Sequence, residues 1–188
     1  MSTEHSISCI SAASVMEHMP ADYEVFPIGI TRDGVWVEGT TDPVAGVALP
    51  EVPEGREVAL SINPTRKGLI FDVATGQELV HVDAVFPVLH GKYGEDGTVQ
   101  GLLELAGVPY VGPGVLASAC GMDKEYMKKL VAAEGIAITR EVILDGRSSL
   151  DDDERDHLGL PVFVKPANGG SSIGVSRSEE RRVGKECR

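Results

Sequence analysis

The sequence predicts an α/β fold that contains at least one parallel sheet. Short apolar runs typical of strands alternate along the chain with segments whose apolar residues recur at helical spacing. Turns rich in glycine and proline separate these elements. One run, 83–89 (DAVFPVL), is apolar enough for a strand that is buried within a parallel sheet. In such open sheets, ligands collect at the carboxyl ends of the strands, so we expect a binding site there.

The composition favours a small-molecule ligand. The 188 residues carry a net charge of −12, whereas a protein that binds nucleic acid needs a basic face. With 42% hydrophobic residues the chain can bury a core, but its apolar runs are much shorter than a membrane span. The start MSTEHSIS does not resemble a signal peptide, and the three cysteines form no C-x-x-C pair. We expect a cytoplasmic protein without a disulfide framework or zinc site.

The amino-terminal segment predicts a helix over 6–19. Ser6 or Ser8 is the expected cap, and Pro20 ends the helix. Its imperfect apolar face comprises Ile7, Ile10, Val15 and Met19.

Further elements follow in alternation. Asp33-Gly34 predicts a hairpin turn, and the loop-rich segment 39–55 separates the hairpin from the rest. Two more helices are predicted, one capped at Asp96 and ended by Gly107, and one over 123–135. A short acidic helical region precedes the last strand. The predicted strands are 23–30, 35–38, 58–62, 68–71, 83–89, 108–112, 138–144 and 161–166.

The loop 90–97 (HGKYGEDG) follows a predicted buried strand, where ligands collect. Its three glycines allow a ligand to approach the backbone closely. His90 is either a hydrogen-bond donor or proton carrier toward a ligand, or a structural hydrogen-bonding residue. Glu95 and Asp96 lie at the start of a helix, where capping of its free N–H groups is the favoured interpretation.

A second loop combines a lysine with glycine and serine residues. Lys165 precedes the turn 169–172 (GGSS), so its ammonium and several backbone N–H groups can surround phosphate oxygens. The order differs from a Walker motif, in which the lysine follows the glycines. A simple hairpin turn explains the same residues equally well.

Together these blocks resemble the D-alanine–D-alanine ligases of the ATP-grasp superfamily. The segments 90–130 and 160–176 contain the family's blocks in its order and at its approximate spacing. The amino-terminal motif of the family is matched by Ser2, Glu4, His5, Ile7 and Ser8. The resemblance implies a Rossmann-like parallel-sheet substrate-binding domain over 1–119. The first part of an ATP-grasp domain would follow over 120–176.

The resemblance also implies a reaction. In the family, ATP phosphorylates the carboxylate of one D-alanine, and the amine of a second D-alanine attacks the acyl phosphate to give the peptidoglycan dipeptide. Glu4 matches the glutamate that holds the ammonium of the first D-alanine, and His90 matches a histidine near that substrate. Ser171 matches the serine that contacts the substrate through this glutamate. Glu4 and Ser171 are therefore the implied catalytic residues.

ATP and a divalent metal ion are the implied cofactors. The resemblance assigns ATP binding to Lys124, Lys165, Gly170, Ser171 and Ser172. The two lysines act as cationic clamps on phosphate, and the glycine and serines belong to a lid over it. The ligands of Mg²⁺ or Mn²⁺ are expected beyond this segment of the family sequence, so no metal ligand is assigned here.

Both ends of the chain depart from the family pattern. Relatives begin with an apolar strand and two glycines ahead of the motif that starts here at Ser2. They also continue for about another domain's length beyond Ser176. The segment 177–188 (RSEERRVGKECR) resembles the translated read-through of a sequencing adapter, with a genuine charged terminal segment as the alternative. We expect an inactive fragment that lacks its first strand and ends in a disordered, non-native tail.

Two other functions stay open. One is a sibling ligase that joins D-alanine to D-lactate or D-serine, because the family sets the second substrate mainly outside this segment. The other is a non-catalytic α/β module that binds a nucleotide. The expected partners are D-alanine and ATP, without nucleic acid or membrane. A homodimer is also open, because the family commonly forms dimers through its amino-terminal domain.

Overall fold

The computed structural model describes residues 4–39 and 51–178 of the chain. The chain forms two compact units, Met1–Ala119 and Cys120–Arg188. Helices and strands mix in both units, as an α/β class requires. Among the described residues, no helix is both long and apolar enough to cross a membrane.

Helix α1, His5–Glu17, opens the first unit and corrects two expectations. It begins at His5, with Glu4 as a cap residue that makes no side-chain capping bond, so neither Ser6 nor Ser8 is the cap. Ile7 and Ile10 are 51% and 47% exposed, whereas Ser8 is buried. The expected apolar face is therefore wrong, because the helix turns hydroxyl groups inward instead.

A β-hairpin follows, as Asp33-Gly34 predicts. Strands β1, Ile28–Ile30, and β2, Trp36–Glu38, pair antiparallel. The turn is closed by the Thr31 N–H, which donates to the Val35 carbonyl over 2.9 Å. Gly34 has a φ of 90°, a value that most other residues avoid. The first strand is much shorter than the predicted run 23–30.

A three-stranded antiparallel sheet forms the centre of the first unit. Its strands are β3, Val58–Leu60, β4, Leu69–Asp72, and β5, Glu78–His81, in the order β3-β4-β5. A short 3₁₀ helix, Pro64–Arg66, lies between β3 and β4. The sequence predicts β3 and β4 but not β5, whose ends are polar and exposed.

Parallel pairing is limited, within 4–39 and 51–178, to a single bridge between Val85 and Tyr110. The Val85 N–H donates to the Pro109 carbonyl and the Val111 N–H donates to the Val85 carbonyl, both over 2.9 Å. The runs 83–89 and 108–112 thus pair in the expected direction. They do not form extended strands, and Phe86 is 51% exposed. The expectation that 83–89 is a fully buried strand is wrong, because one bridge does not build a covered ladder.

Helix α2, Thr98–Leu105, packs against the sheet and ends as predicted. Gly107 has a φ of 68°, and the Val108 N–H donates to the Leu103 carbonyl over 3.0 Å. The core that joins helix and sheet consists of Val58, Leu60, Ile70, Val99, Leu103, Ala106 and Val108. Each large side chain in this core contributes about 1.5–3 kcal/mol to folding. The core thereby fixes the loop that precedes α2.

Three further helices and a hairpin follow in the part of the chain that the structure describes up to residue 178. Helix α3 contains the boundary between the units, and the predicted run 138–144 is irregular rather than a strand. The elements are α3, Val115–Met122, α4, Lys124–Ala133, α5, Asp152–Leu158, β6, Val162–Val164, and β7, Ser176–Ser178.

Helix α4 confirms its predicted start and end. Asp123 caps it by accepting from the N–H groups of Glu125 and Tyr126, over 2.9 and 3.1 Å. Gly135 follows with a φ of 75°. Strand β7 pairs antiparallel with β6 through Ser178, two residues into the segment predicted as a tail. The rest of that segment, 179–188, lies outside the described residues.

Candidate functional site

Two carboxylates in the loop 90–97 accept hydrogen bonds from the loop's own backbone. Glu95 Oε2 accepts a hydrogen bond from the Gly91 N–H over 2.6 Å. Asp96 accepts from the N–H groups of Tyr93 and Thr98, over 2.9 and 3.0 Å. Asp96 thus binds the N–H of Thr98, the first residue of α2, but the cap residue is Gly97, which makes no side-chain capping bond. The expected cap at Asp96 is therefore wrong by one residue, and Glu95 bonds within the loop instead of capping the helix. Both acids shape the loop from within.

The electrostatics of Asp96 follow from these bonds. Partial burial would raise the pKa of its carboxyl, but the hydrogen bonds from Tyr93 and Thr98 outweigh this effect and hold the pKa below its ordinary value. The carboxylate is therefore the form that the folded loop favours.

Gly94 allows the loop to fold back on the preceding chain. A Cβ atom at this position would overlap the carbonyl oxygen of Leu89 and approach its Cβ to 2.5 Å. The buried Gln100 side chain then donates from Nε2 to the Gly94 carbonyl over 2.9 Å. Helix α2 therefore holds the loop in place.

His90 is bound to helix α1 at two points. Its backbone N–H donates to Ser8 Oγ over 2.9 Å, and its ring Nε2 lies 2.8 Å from Ser11 Oγ. Ser8 in turn donates to the Glu4 carbonyl, over 3.3 Å. These hydrogen bonds connect His90 to the start of α1, where Glu4 lies.

The Cys9 thiol on α1 lies beside a histidine and is partly buried. Cys9 Sγ lies 3.8 Å from His5 Nε2, which also accepts from the Val52 N–H over 3.3 Å. Burial, followed by the charge of Glu51, raises the pKa of the Cys9 thiol above its ordinary value. The protonated thiol is favoured.

In the second unit, Lys124 contacts the glycine-serine loop. Its ammonium donates to the Gly169 carbonyl over 2.6 Å, and its backbone N–H donates to the Ala167 carbonyl over 3.0 Å. Asp123 and Asn168 form an antiparallel bridge at the same place. The start of α4 and the loop after β6 are therefore connected by side-chain and backbone hydrogen bonds.

The loop itself has an unusual backbone. Ser171 and Ser172 have φ values of 48° and 59°, which is the left-handed region that non-glycine residues rarely adopt. The Ile173 N–H donates to the Gly170 carbonyl over 3.1 Å and closes the turn. A Cβ atom at Gly174 would lie 2.9 Å from Pro166 Cγ. The loop is a compact, strained turn, which is typical of ligand-binding segments.

Lys165 lies directly after β6 and is exposed. The hydrogen bonds and ion pairs found in 4–39 and 51–178 include none from its ammonium. Two lysines thus flank one loop, where Lys124 is bound and Lys165 is available. This arrangement fits a phosphate-bearing ligand, because cations and backbone N–H groups attract phosphate oxygens.

The predicted site residues divide between the two units. Glu4 and His90 belong to the first unit, and the second contains Lys124, Lys165, Gly170, Ser171 and Ser172. The sequence did not identify Ser11 or Gln100 as site residues. For Ser11 the available signal was its spacing of three from Ser8, which places both hydroxyls on one face of α1. The pairing of Glu4 with Ser171 stays a prediction.

The described residues do not present a site for a divalent metal ion. No group of three or more His, Cys, Asp or Glu side chains in this part of the chain could hold one. We therefore assign none of these side chains as a ligand of magnesium.

These features define the class: an α/β protein with a compact glycine-serine loop that lies beside two lysines in the sequence or in contact. One family model, described as the D-ala D-ala ligase N-terminus, matches residues 1–113, and a second, the D-ala D-ala ligase C-terminus, matches 128–185. The chain belongs to the D-alanine–D-alanine ligase family. This confirms the resemblance seen in the sequence.

Individual relatives agree with this assignment. The D-alanine--D-alanine ligase of Corynebacterium diphtheriae is 59% identical over 182 residues, which cover 94% of this chain and 49% of the relative. The enzyme of the same name from Rhodococcus opacus is 59% identical over 189 residues, covering 95% of this chain and 51% of the relative. The chain thus spans about half the length of the curated relatives that it matches.

Solved structures confirm the fold class. The VanG D-Ala:D-Ser ligase from Enterococcus faecalis superposes with a TM-score of 0.76 at 35% identity, covering 95% of this chain and 53% of that chain. The D-alanine-D-alanine ligase from Coxiella burnetii gives a TM-score of 0.75 at 29% identity, covering 96% and 54%. The α/β architecture of an amino-terminal domain followed by the start of an ATP-grasp domain is therefore the correct prediction.

Proposed function

We propose that this chain belongs to an ATP-dependent enzyme that joins two D-alanine molecules for peptidoglycan synthesis. In this proposal, 1–119 binds the amino acid and 120–176 begins the nucleotide-binding domain. The observation that carries it is the contact of Lys124 with the Gly169 carbonyl, because it joins the predicted cation to the predicted phosphate loop.

The amino acid is assigned to the first unit. The Glu4 carboxylate is the group with the charge to hold the ammonium of a first D-alanine. His90 is the second ligand of this site, supported by its two bonds to α1, because Ser8 also connects it to the Glu4 carbonyl. Ser171 is assigned to the same substrate through Glu4.

ATP is assigned to the second unit, where it supplies the phosphoryl group that activates a carboxylate. The Lys124 and Lys165 ammonium groups hold its phosphates and offset charge that develops during transfer. Gly170, Ser171 and Ser172 cover the phosphates with backbone and hydroxyl groups. The left-handed backbone of the two serines supports this role, since strain of this kind collects in ligand-binding loops.

The test needs a complete enzyme, because the chain spans about half of its relatives. In the chimeric ligase, residues 4–178 of this chain replace the matched region of the Corynebacterium diphtheriae ligase. Phosphate release is measured with ATP, a magnesium salt and either D-alanine or L-alanine, with the parent ligase as control. We expect release that depends on D-alanine. Equal turnover of the two enantiomers would contradict the assignment.

The similarity to a D-Ala:D-Ser ligase makes a second substrate class testable in the same assay. D-serine and D-lactate are offered as the second substrate beside D-alanine, and the products are identified by mass spectrometry. The more similar curated relatives are named D-alanine--D-alanine ligases, so we expect D-alanyl-D-alanine as the main product.

Assembly and location complete the proposal. We place the enzyme in the cytoplasm, where ATP is supplied, and assign dimer formation to the amino-terminal domain. Light scattering of the chimeric ligase measures the mass in solution. A monomer at micromolar concentration would contradict the dimer.

A further inference from the structure

The chain contains two asparagines, and the residues that follow them differ in chemistry. Asn63 precedes Pro64, which has no backbone N–H. Asn168 precedes Gly169, which has no side chain to shield its N–H. The backbone nitrogen of the following residue can attack an asparagine amide only if that nitrogen has a proton to lose. The sequence therefore allows this reaction at Asn168 and prevents it at Asn63.

The surroundings of the two side chains add to this difference. Asn63 caps the short 3₁₀ helix, where its Oδ1 accepts from the Thr65 N–H over 3.0 Å and from the Thr65 hydroxyl over 2.8 Å. Asn168 is exposed in the glycine-serine loop. Among residues 4–39 and 51–178, no hydrogen bond holds its side-chain amide. The Asn168 amide can therefore rotate toward the Gly169 nitrogen.

The backbone around Asn168 is open but anchored. Gly169 has a φ of 150°, and a Cβ atom there would have no atom within 4 Å, so a ring can form without a clash on this side. Lys124 holds the carbonyl groups of Ala167 and Gly169, and Asn168 forms a bridge with Asp123. These contacts use backbone groups of the loop and not the Asn168 side chain. They should slow the reaction relative to the unfolded chain without preventing it.

We propose that Asn168 is a site of spontaneous deamidation. The Gly169 nitrogen attacks Asn168 Cγ and forms a new C–N bond. The C–N bond of the side-chain amide breaks, and ammonia leaves with the proton of the Gly169 N–H. Water then opens the five-membered cyclic imide at one of its two carbonyl groups, which gives aspartate or isoaspartate. The sequence of steps needs water as its only co-reactant.

Either product changes the loop where Lys124 contacts it. Both products carry a carboxylate in place of a neutral amide, and isoaspartate also lengthens the main chain by one carbon atom. The new negative charge lies next to Gly169, whose carbonyl accepts from the Lys124 ammonium, so it attracts this ammonium and repels phosphate. The effect on the nucleotide rests on the proposed function, whereas the deamidation does not.

The first test follows the mass of peptides from the full chain and from the chimeric ligase, which contains the same loop. Both proteins are incubated at physiological temperature and mildly alkaline pH, and circular dichroism checks that they stay folded. Peptide mass spectrometry should find loss of ammonia and uptake of water at Asn168, with Asn63 unchanged. Isomerisation of aspartate-glycine pairs leaves the mass unchanged and cannot imitate this result.

Two controls make this test decisive. The chain unfolded in guanidinium chloride should react faster at Asn168, because its loop is no longer anchored. Asn168→Gln should stay intact, since its longer side chain cannot form the five-membered ring. If Asn168 stayed intact in both folded proteins while it reacted in guanidinium chloride, the proposal would be wrong. Equal loss of ammonia from Asn168→Gln would show hydrolysis without a ring and would also overturn it.

The second test measures the consequence in the chimeric ligase. Asn168→Asp supplies the charge of the product and should raise the KM for ATP about fivefold, with the KM for D-alanine unchanged. Asn63→Asp makes the same change of charge in the first unit and should leave both constants unchanged. Equal effects of the two variants on ATP would contradict the predicted consequence. If the unmodified chimera shows no turnover that depends on D-alanine, the proposed function fails, and the mass measurement still decides the deamidation.

Discussion

The Lys124 ammonium and the Gly169 carbonyl lie 2.6 Å apart, which joins the start of α4 to the glycine-serine loop. A charged donor makes this bond stronger than one between neutral groups, at about 1.5–3 kcal/mol. Lys124 therefore stabilises the observed conformation of the loop. A phosphate that binds the Lys124 ammonium must compete with the Gly169 carbonyl for it. Loop shape and nucleotide affinity should change together when Lys124 changes.

Lys124→Met should weaken ATP binding by at least tenfold and loosen the loop, because both the phosphate clamp and the bond to Gly169 are lost. Calorimetry of the chimeric ligase measures the affinity, and hydrogen exchange of residues 167–174 measures the loop. The matched control is Lys129→Met, since Lys129 pairs on the surface with Glu125. Unchanged ATP affinity in Lys124→Met would remove this lysine from the nucleotide site.

Lys165→Ala should lower ATP affinity and slow phosphoryl transfer without reducing stability. No protein partner of its ammonium is found in the described part of the chain, so the substitution removes no intramolecular bond. A surface change of this kind normally shifts the free energy of unfolding by less than about 0.5 kcal/mol. Calorimetry with ATP and a thermal melt of the same sample separate the two effects. A clear loss of stability with normal ATP affinity would make Lys165 structural.

Glu4→Gln should raise the KM for D-alanine in the chimeric ligase more than the KM for ATP. The amide retains the shape of the side chain but loses the charge that attracts an ammonium group. The cap geometry of α1 should be preserved, because Glu4 makes no side-chain capping bond there. Steady-state kinetics with each substrate varied in turn provide the measurement. A change confined to ATP would contradict the substrate role.

Local signals in the sequence were sufficient for several elements. Asp123 and Gly135 mark the ends of α4, and Asp33-Gly34 marks the hairpin, because caps and tight turns depend on a few adjacent residues. Asp96 was expected at the start of α2, and it accepts from the Thr98 N–H there, although the cap residue is Gly97. Predictions of this kind need no knowledge of distant parts of the chain.

Long-range contacts explain what the sequence did not predict. Helix α1 is oriented by its contact with His90, which is 79 residues from Ser11 in sequence. The apolar residues Ile7 and Ile10, which were expected to face inward, are exposed instead. The lysines and the glycine-serine loop were predicted as site residues. Their contact, however, joins Lys124 to Gly169 across 45 residues. Strand β5 has polar ends and therefore lacked the expected strand pattern.

Asp96 should make the stability of the first unit depend on pH. Hydrogen bonds hold the pKa of its carboxyl below the unfolded value of about 3.9, so the folded state favours the carboxylate. This contribution is present above about pH 4 and is lost as the pH falls through the lower folded pKa. Asp96→Asn should therefore be less stable than wild type at pH 7, with a difference that shrinks toward pH 2.

Urea unfolding followed by the fluorescence of Trp36, the single tryptophan, measures this difference in the first unit. The control is Asp83→Asn, because Asp83 is an exposed carboxylate. If the difference between Asp96→Asn and wild type were the same at pH 7 and pH 2, the loss of stability would not come from ionisation.

The shape of the loop 90–97 should depend on close packing at Gly94. Substituting alanine for this glycine and for Gly101 in α2 should change stability in opposite directions. Gly94→Ala should destabilise the first unit by about 1–3 kcal/mol, because the new Cβ would overlap the backbone oxygen of Leu89. Gly101→Ala should stabilise it by about 0.5–1 kcal/mol, since Gly101 lies within α2 and its Cβ would have no atom within 4 Å. Urea unfolding monitored at Trp36 compares both variants with wild type. In the chimeric ligase, only Gly94→Ala should also raise the KM for D-alanine, because displacement of the loop moves His90 away from α1. If the two variants changed stability in the same direction, close packing at Gly94 would not determine the loop shape.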